Sequence, residues 1–192
     1  SYESAEDQAL FLARLAKGGC SWGAPERLLW NTTYPPGNAV IFRGTNNDLW
    51  IIWGRMESTR PLRRGGGWDE CRLMVRYSDD NGTTWSDDAE VPDSFGWLPR
   101  NPSLTLNDGT LALPVSGSCD GKGGSALLAF NTATNGWERR GLIPAGSQPT
   151  VTQRNDGSLL AYMRNQPRLL MSESSDNGMT WSAPVRSEHK NP

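Results

Sequence analysis

The sequence contains only one histidine, His189, and three cysteines, Cys20, Cys71 and Cys119, in 192 residues. The cysteine spacing does not match that of metal-binding sites, and three cysteines are too few for a disulfide framework. One disulfide with one free thiol and three reduced thiols are both compatible with this number. A single histidine gives little support for a histidine metal site or for a Ser-His-Asp triad within this chain. We therefore expect neither a metal ion nor another cofactor.

Long apolar runs and a strong charge excess are also missing. No apolar run approaches the roughly 18 residues that a membrane-spanning helix needs, and no basic segment followed by an apolar one opens the chain as in a signal peptide. The formal net charge of −2 is not the basic excess of a protein that binds nucleic acid or a membrane surface. With 36% hydrophobic residues, the composition is that of a globular protein of one or two domains. We expect no nucleic-acid partner and no membrane span.

Two octapeptides share one pattern, Ser-x-Asp-x-Gly-x-Thr-Trp. The matching residues are Ser78, Asp80, Gly82, Thr84 and Trp85 in the first copy and Ser174, Asp176, Gly178, Thr180 and Trp181 in the second. An aspartate in such a stretch accepts hydrogen bonds from nearby backbone N–H groups, and glycine supplies a positive φ. Because β-formers precede both copies, each predicts a strand, a tight turn and a tryptophan that packs against the turn.

Other segments recur in step with these octapeptides. A degenerate copy lies at residues 130–137, and a weaker trace lies at residues 17–25. Proline-containing or glycine-containing segments open a strand at residues 36–40, 100–104 and 147–151. Polar hairpins lead into a second strand at residues 46–50, 107–111 and 155–159. The repeat therefore predicts four short strands in a fixed order, with roughly the period of a propeller blade.

The amino-terminal segment has two interpretations. Residues 4–19 carry a plausible N-cap, an acidic first turn, a basic last turn and a glycine stop, which is typical of a helix. Residues 9–15 also occupy the place where the repeat has its third strand. We favour the strand, because the position of Trp22 agrees with the register of the repeat.

With its two octapeptides, which are Asp-boxes, and its strand-opening Asn-Pro and Gln-Pro pairs, the sequence resembles the sialidase (neuraminidase) superfamily in its BNR-repeat branch. The resemblance extends from about residue 9 to the end. It implies an all-β, sialidase-like β-propeller with about three four-stranded blades in this chain, a half or a fragment of a six-bladed ring. We expect one region over residues 1–192. Its parts are the closing strands of a preceding blade and three blades, at residues 1–35, 36–99, 100–146 and 147–192.

The order of the strands predicts where chemistry takes place. The Asp-box joins the third and fourth strands of a blade, so it lies on the face opposite to the start of the first strand. Asp80 and Asp176 are therefore expected to be structural rather than catalytic. The functional face is expected to consist of the loops that enter first strands and those that join second to third strands. These loops are residues 30–38, 54–70, 93–101, 116–124 and 164–168.

Polar side chains in these loops are the candidates for substrate binding. Arg55, Arg100 and Arg164 suit a carboxylate, because each guanidinium can form two parallel charge-assisted bonds. The other candidates, from the strand openings and an aromatic position, are Asn38, Asn101, Gln148 and Trp97. A different interpretation applies to Arg60, Arg63 and Arg64, which can form a solvated basic loop with Asp69 and Glu70 as counter-charges.

The resemblance implies three arginines on the substrate carboxylate, an aspartate acid/base and a tyrosine nucleophile assisted by a glutamate, an exception among glycosidases. Asp69, Glu70 and Asp120 are the acid/base candidates. Tyr34 and Tyr2 are the nucleophile candidates. The chain departs from the family by lacking the Arg-Ile-Pro signature of the first arginine. The complete catalytic set is thus not assigned by the sequence.

Three functions remain open, because one fold serves many functions. The first is a sialidase-like exo-glycosidase that hydrolyses a terminal acidic sugar at the propeller axis. The second is a propeller that binds glycan or protein without turnover, and the third is a polysaccharide lyase. The expected partner is a carbohydrate, with an anionic one favoured. A homodimer or the remainder of a longer chain is expected to complete the ring, and the family favours a secreted or periplasmic location.

Overall fold

The computed structural model describes residues 5, 7–30, 33–44, 46–58, 68–119 and 122–191. Over these residues the regular secondary structure is β-strand, with fifteen strands arranged in four sheets. No helix within the described ranges is long and apolar enough to cross a membrane. The predicted all-β fold is confirmed.

A small antiparallel sheet comes first, formed by β1 (Leu10–Leu12) and β2 (Glu26–Leu29). The strand prediction for this segment is thus confirmed, and the helix does not form. Trp22 keeps the expected register through a single bridge to Leu15. Its side chain nevertheless remains 67% exposed, so it does not anchor a turn as the other tryptophans do.

The first blade is an antiparallel sheet in simple sequence order. Its strands are β3 (Pro36–Arg43), β4 (Leu49–Met56), β5 (Cys71–Ser78) and β6 (Ala89–Glu90). The strands alternate in direction, so the start of β3, the end of β4 and the start of β5 all lie at one end of the sheet.

The second blade divides its first strand into β7 (Trp97–Pro99) and β8 (Leu104–Thr105), which both pair with β9 (Leu111–Cys119). The interruption contains Pro102, which has no N–H to donate to a ladder. The sheet continues with β10 (Lys122–Asn131) and β11 (Gly136–Ile143).

The third blade repeats the order of the first. Its strands are β12 (Ser147–Gln153), β13 (Leu159–Arg164), β14 (Arg168–Ser174) and β15 (Val185–Lys190). Strand β12 packs beside β9 of the second blade, and β7 of the second blade packs beside β4 of the first. The first strand of each of these blades therefore packs against the second strand of the preceding blade, as neighbouring blades do in a propeller.

Both Asp-boxes connect a third strand to a fourth, as predicted. In the first box, Oδ1 of Asp80 accepts hydrogen bonds from the hydroxyl of Ser78 at 2.7 Å and from the backbone N–H of Thr84 at 2.9 Å. The hydroxyl of Thr84 donates to the other carboxylate oxygen at 2.7 Å. These bonds, with those of Thr84 the largest cause, lower the pKa of Asp80 to about 2. The aspartate is therefore a structural acceptor within its own turn.

The tryptophans of the boxes pack across the boundaries between sheets. Trp181 of the third blade contacts an apolar cluster of the second blade that includes Leu106 and Leu127, and its indole N–H donates to the carbonyl of Gly178. Trp85 of the first blade packs on a cluster that includes Leu29 of the small sheet. Each box thus closes its own turn and holds its blade against the preceding sheet.

Candidate functional site

A cleft of about 530 Å³ opens at the ends of the blades opposite to the Asp-boxes. Its floor is made by small residues that bring backbone segments close together. They are Gly96, Gly117, Gly123, Gly124, Gly146 and three serines at 116, 118 and 147. A Cβ atom on Gly117 would overlap the carbonyl oxygen of Gly96, so this close approach depends on glycine. The cleft owes its volume to the absence of larger side chains on this floor.

Two arginines and one aspartate line the same cleft. Arg100 and Arg164 are exposed, and Nη1 of Arg164 donates to Oε1 of Gln148 at 3.4 Å. Within the described ranges, no hydrogen bond or ion pair engages the guanidinium of Arg100 or the carboxylate of Asp69. These charged groups are therefore available to a ligand in the cleft.

Asn38 and Gln148 line the cleft from equivalent places in the first strands of the first and third blades. Each lies in a β-bulge, and each has a positive φ, 49° for Asn38 and 51° for Gln148. Backbone strain disfavours this conformation for residues other than glycine. Such strain occurs at bulges that redirect a side chain near a functional site. The sequence placed both residues at strand openings that recur in step, and the structure adds that each lies in a bulge.

The side chain of Asn101 forms hydrogen bonds to the backbone of the neighbouring blade. Its Nδ2 donates to the carbonyl oxygens of Gln148 and Pro149, both at 2.9 Å. Asn101 also lines a second cleft of about 560 Å³, which shares Arg100, Gln148 and Arg164 with the first. The amide donors of Asn101 are therefore used to hold the bulge that presents Gln148.

Two predicted substrate-binding residues need correction. Arg55 does not line the cleft, because its guanidinium is bound by Glu57 at 2.5 Å and by Glu90 at 3.4 Å. The side chain of Trp97 is only 1% exposed and belongs to the core cluster of the first and second blades. The alternation of β7 directs that indole into the core, so only the backbone of Trp97 lies near the cleft.

The catalytic candidates are not all brought together. Asp69 lines the cleft, whereas Glu70 does not and uses its carbonyl oxygen to accept from the backbone N–H of Glu57. Tyr34 also lies outside the cleft, where its ring faces the guanidinium of Arg55 at 5.9 Å. Asp120 lies outside the described residues, as do Tyr2, Arg60, Arg63 and Arg64. The structure therefore assembles Asn38, Asp69, Arg100, Gln148 and Arg164 around one cleft.

Trp68, in the loop at residues 54–70 that was expected on the functional face, lines the cleft, and Cys71, which was not a candidate, lies next to it. The indole of Trp68 is 37% exposed. The thiol of Cys71 lies beneath, with its Sγ 3.2 Å from the carbonyl oxygen of Trp68. Burial raises the pKa of Cys71 to about 12, so this thiol remains protonated and does not act as a nucleophile.

Comparison with known proteins shows the same architecture. The chain superposes on a protein of unknown function from Dyadobacter fermentans with a TM-score of 0.80 at 14% identity, over 99% of this chain and 61% of that one. It superposes on the intramolecular trans-sialidase of Ruminococcus gnavus, solved with oseltamivir carboxylate, with a TM-score of 0.70 at 14% identity, over 97% and 65%. It superposes on the α-L-arabinanase of Penicillium chrysogenum, solved with arabinobiose, with a TM-score of 0.61 at 16% identity, over 96% of this chain and 54% of that one.

The chain thus spans less than two thirds of the length of these structures. A comparison with curated proteins gave no match. At such identities the structural likeness shows the fold, a sialidase-like β-propeller. The model of the BNR repeat-like domain matches residues 1–192. The chain therefore belongs to the BNR repeat-like family.

Proposed function

We propose that this protein is a sialidase-like exo-glycosidase that takes a terminal acidic sugar in the cleft. The observation that carries the proposal is the placement of two exposed guanidiniums, Arg100 and Arg164, beside the carboxylate of Asp69 in one cleft with a floor of small residues. The enzymes among the similar structures act on glycans, which supports the substrate class.

Each cleft residue has a chemical role in this proposal. Arg100 and Arg164 bind the sugar carboxylate through paired charge-assisted hydrogen bonds. The amides of Asn38 and Gln148 bind hydroxyl groups of the same sugar. Asp69 serves as the acid/base. It protonates the oxygen of the leaving group as the bond from that oxygen to the anomeric carbon breaks. Water then forms a bond to the same carbon and gives its proton back to the Asp69 carboxylate, which must lie within hydrogen-bond reach of both oxygens. The indole of Trp68 covers one side of the sugar.

Binding without turnover is the second candidate. It is favoured by the position of Tyr34, the predicted nucleophile, which lies outside the cleft against Arg55. A propeller with the same arginines and no nucleophile in reach would retain its ligand unchanged.

We also propose that further blades complete the ring, supplied by a second copy or by the remainder of a longer chain. The described residues form three blades and one two-stranded sheet, and open sheet edges favour additional pairing. Light scattering on the purified chain tests the two-copy ring, which a folded, strictly monomeric species would rule out.

Incubation with sialosides and with uronate-containing oligosaccharides tests the function. Sugar release from a sialoside that is abolished by Arg100→Ala supports the exo-glycosidase, and the matched control is Arg43→Ala, an exposed arginine at the Asp-box end. An unsaturated product that absorbs in the ultraviolet would identify a lyase instead. Saturable binding without any product would identify a glycan-binding protein. The absence of both binding and sugar release would overturn the proposal.

A further inference from the structure

We propose that Ser125, a buried serine beneath the cleft, is a positioning residue that acts on the ligand through Ser116. Ser116 binds a hydroxyl group of the sugar, and the hydroxyl of Ser125 donates a hydrogen bond to Ser116 when the sugar is bound. The inference rests on the proposed function, since it concerns how the same cleft binds its sugar. It adds to the cleft a residue that does not itself line it.

The hydroxyl of Ser125 lacks a partner in a place where partners are the rule. Ser125 is 0% exposed, and its hydroxyl has no hydrogen-bond partner among the described residues. Such groups are rare, because a buried hydroxyl has given up its bonds to water. Other buried serines are paired: Ser94 accepts from the backbone N–H of Leu73 at 3.0 Å, and Ser172 donates to the carbonyl of Ser182 at 2.7 Å. Packing alone therefore does not explain a serine at position 125.

Strand pairing places Ser125 at the floor of the cleft. In the regular ladder between β9 and β10, Ser125 lies directly opposite Ser116. Ser116 and Gly124, the residue before Ser125, both line the cleft. Side chains alternate along a strand, so Ser125 shares a face of the sheet with Leu127, which packs in one cluster with Leu159 of the third blade. Ser125 thus faces the gap between the second and third blades, below the cleft.

The two serines are near enough to form a hydrogen bond, although none joins them in the structure. Residues directly opposite each other on one face of an antiparallel pair have Cβ atoms roughly 4.5–5.5 Å apart. Each hydroxyl has three staggered positions about its Cα–Cβ bond, and two hydroxyls that turn towards each other come within hydrogen-bond distance. Within the described ranges, the hydroxyl of Ser116 also has no hydrogen-bond partner. Neither hydroxyl is therefore held away from the other by a competing bond.

A sugar hydroxyl supplies what connects the two serines. A serine hydroxyl donates one hydrogen bond and accepts others. When Ser116 donates to an oxygen of the sugar, its own oxygen remains available as an acceptor for Ser125, the hydroxyl opposite to it in the ladder. Hydrogen bonds in such a chain strengthen one another inside a protein. Binding of the sugar thus pairs a hydroxyl that is unpaired in the free protein, and this pairing favours the bound state.

A double-mutant cycle, measured by calorimetric titration of the intact protein with N-acetylneuraminic acid, tests the inference. Ser116→Ala and Ser125→Ala are each expected to weaken binding about three- to ten-fold, the range of one neutral hydrogen bond. The double variant is expected to bind no more weakly than Ser116→Ala, because Ser125 reaches the sugar only through Ser116. Ser172→Ala, which changes a buried serine beside the second Asp-box, is the matched control and should leave the affinity unchanged.

Thermal unfolding without ligand separates a positioning role from a structural one. Ser125→Ala is expected to leave the unfolding midpoint unchanged or to raise it, because it removes a buried hydroxyl that has no partner among the described residues. Ser172→Ala is expected to lower the midpoint, because the bond to the carbonyl of Ser182 is lost. A serine with a purely structural role at position 125 would behave as Ser172 does, with a lower midpoint and unchanged affinity.

The outcomes distinguish this role from the function of the cleft. Unchanged affinity in Ser125→Ala, losses that add in the double variant, or a lowered unfolding midpoint in Ser125→Ala would each overturn the positioning role. All three leave the proposed function intact, since the unsubstituted protein still binds the sugar. Absence of binding to the unsubstituted protein, checked with galacturonic acid as the alternative acidic sugar, overturns the proposed function together with the role of Ser125.

Discussion

Asn101 holds Gln148 in place from the adjacent blade: its Nδ2 lies 2.9 Å from the carbonyl oxygen of Gln148 and 2.9 Å from that of Pro149. This pair of bonds connects the interrupted first strand of the second blade to the bulge in the first strand of the third. The geometry makes Asn101 a positioning residue, whose effect reaches a ligand through Gln148.

Asn101→Ala is therefore expected to lower the free energy of unfolding by about 1–3 kcal/mol, since two carbonyls lose their donor in a partly buried place. Binding of N-acetylneuraminic acid should also weaken, because the bulge is no longer held. Urea denaturation and calorimetry measure the two effects. Gln148→Ala is the comparison, since it should weaken binding with less loss of stability; an Asn101→Ala variant with unchanged affinity would contradict the positioning role.

Arg100→Ala and Arg164→Ala are each expected to weaken binding of an acidic sugar by about 1.5–3 kcal/mol, the range for hydrogen bonds to charged groups. The lysine variants should restore little of this, because an ammonium cannot make two parallel bonds to a carboxylate. Arg55→Ala is the matched control and should leave monosaccharide affinity unchanged, since Glu57 and Glu90 occupy its guanidinium. Equal losses for all three arginines would show that Arg55 does reach the ligand.

Trp181→Ala is expected to lower the free energy of unfolding by about 3 kcal/mol, the lower end for removing a large core aromatic, because the indole is only partly buried. The indole contacts apolar clusters on both sides of the boundary between the second and third blades. Denaturant unfolding measures the loss, and Trp22→Ala should cost much less because its side chain is 67% exposed. Near-normal stability together with loss of ligand binding would contradict the placement of this Asp-box on the face opposite to the cleft.

Acid should weaken the Asp-boxes over a defined pH range. Hydrogen bonds led by those of Thr180 lower the pKa of Asp176 from 3.8 to about 2. A lowered folded-state pKa adds stability that is present above the unfolded-state pKa and is lost as the pH falls through the folded-state value. Stability should thus decrease from about pH 4 to about pH 2. The decrease in stability should be smaller in Asp176→Asn. Identical pH profiles of the free energy of unfolding for this variant and the unsubstituted protein would show that Asp176 does not cause the decrease.

Native-state alkylation should distinguish two of the cysteines. Cys20 is exposed, whereas Cys71 is buried and has a pKa raised to about 12. Iodoacetamide at mildly alkaline pH is expected to modify Cys20 within minutes and Cys71 only after unfolding, because the thiolate is the reactive form. Peptide mapping by mass spectrometry assigns the sites, and rapid modification of Cys71 in the folded protein would contradict the burial.

The features that the sequence predicted well are those whose bonds are local. In the Asp-box, every partner of Asp80 lies within four residues of it, so the octapeptide by itself encodes the turn. The hairpin at residues 155–159 is likewise held by a local bond, since Oδ1 of Asp156 accepts a hydrogen bond from the backbone N–H of Ser158 at 2.9 Å. Repetition of such units, together with alternating β-formers, was sufficient to predict the propeller.

The site depended on contacts that no local pattern encodes. Arg55 and Arg164 both lie within the last two residues of the second strand of a blade, yet Arg164 lines the cleft and Arg55 does not. Glu57, two residues along the chain, binds the guanidinium of Arg55 at 2.5 Å, and Glu90, 35 residues along, folds back to 3.4 Å from it, so that both carboxylates hold this arginine away from the cleft. Trp97 likewise turned inward because the neighbouring blade supplied an apolar cluster to bury it. The sequence alone determined the turns and the repeat, because their hydrogen bonds form between near neighbours. Only the tertiary structure decided which charges remain available in the cleft, because ion pairs and core contacts join residues that are distant in the chain.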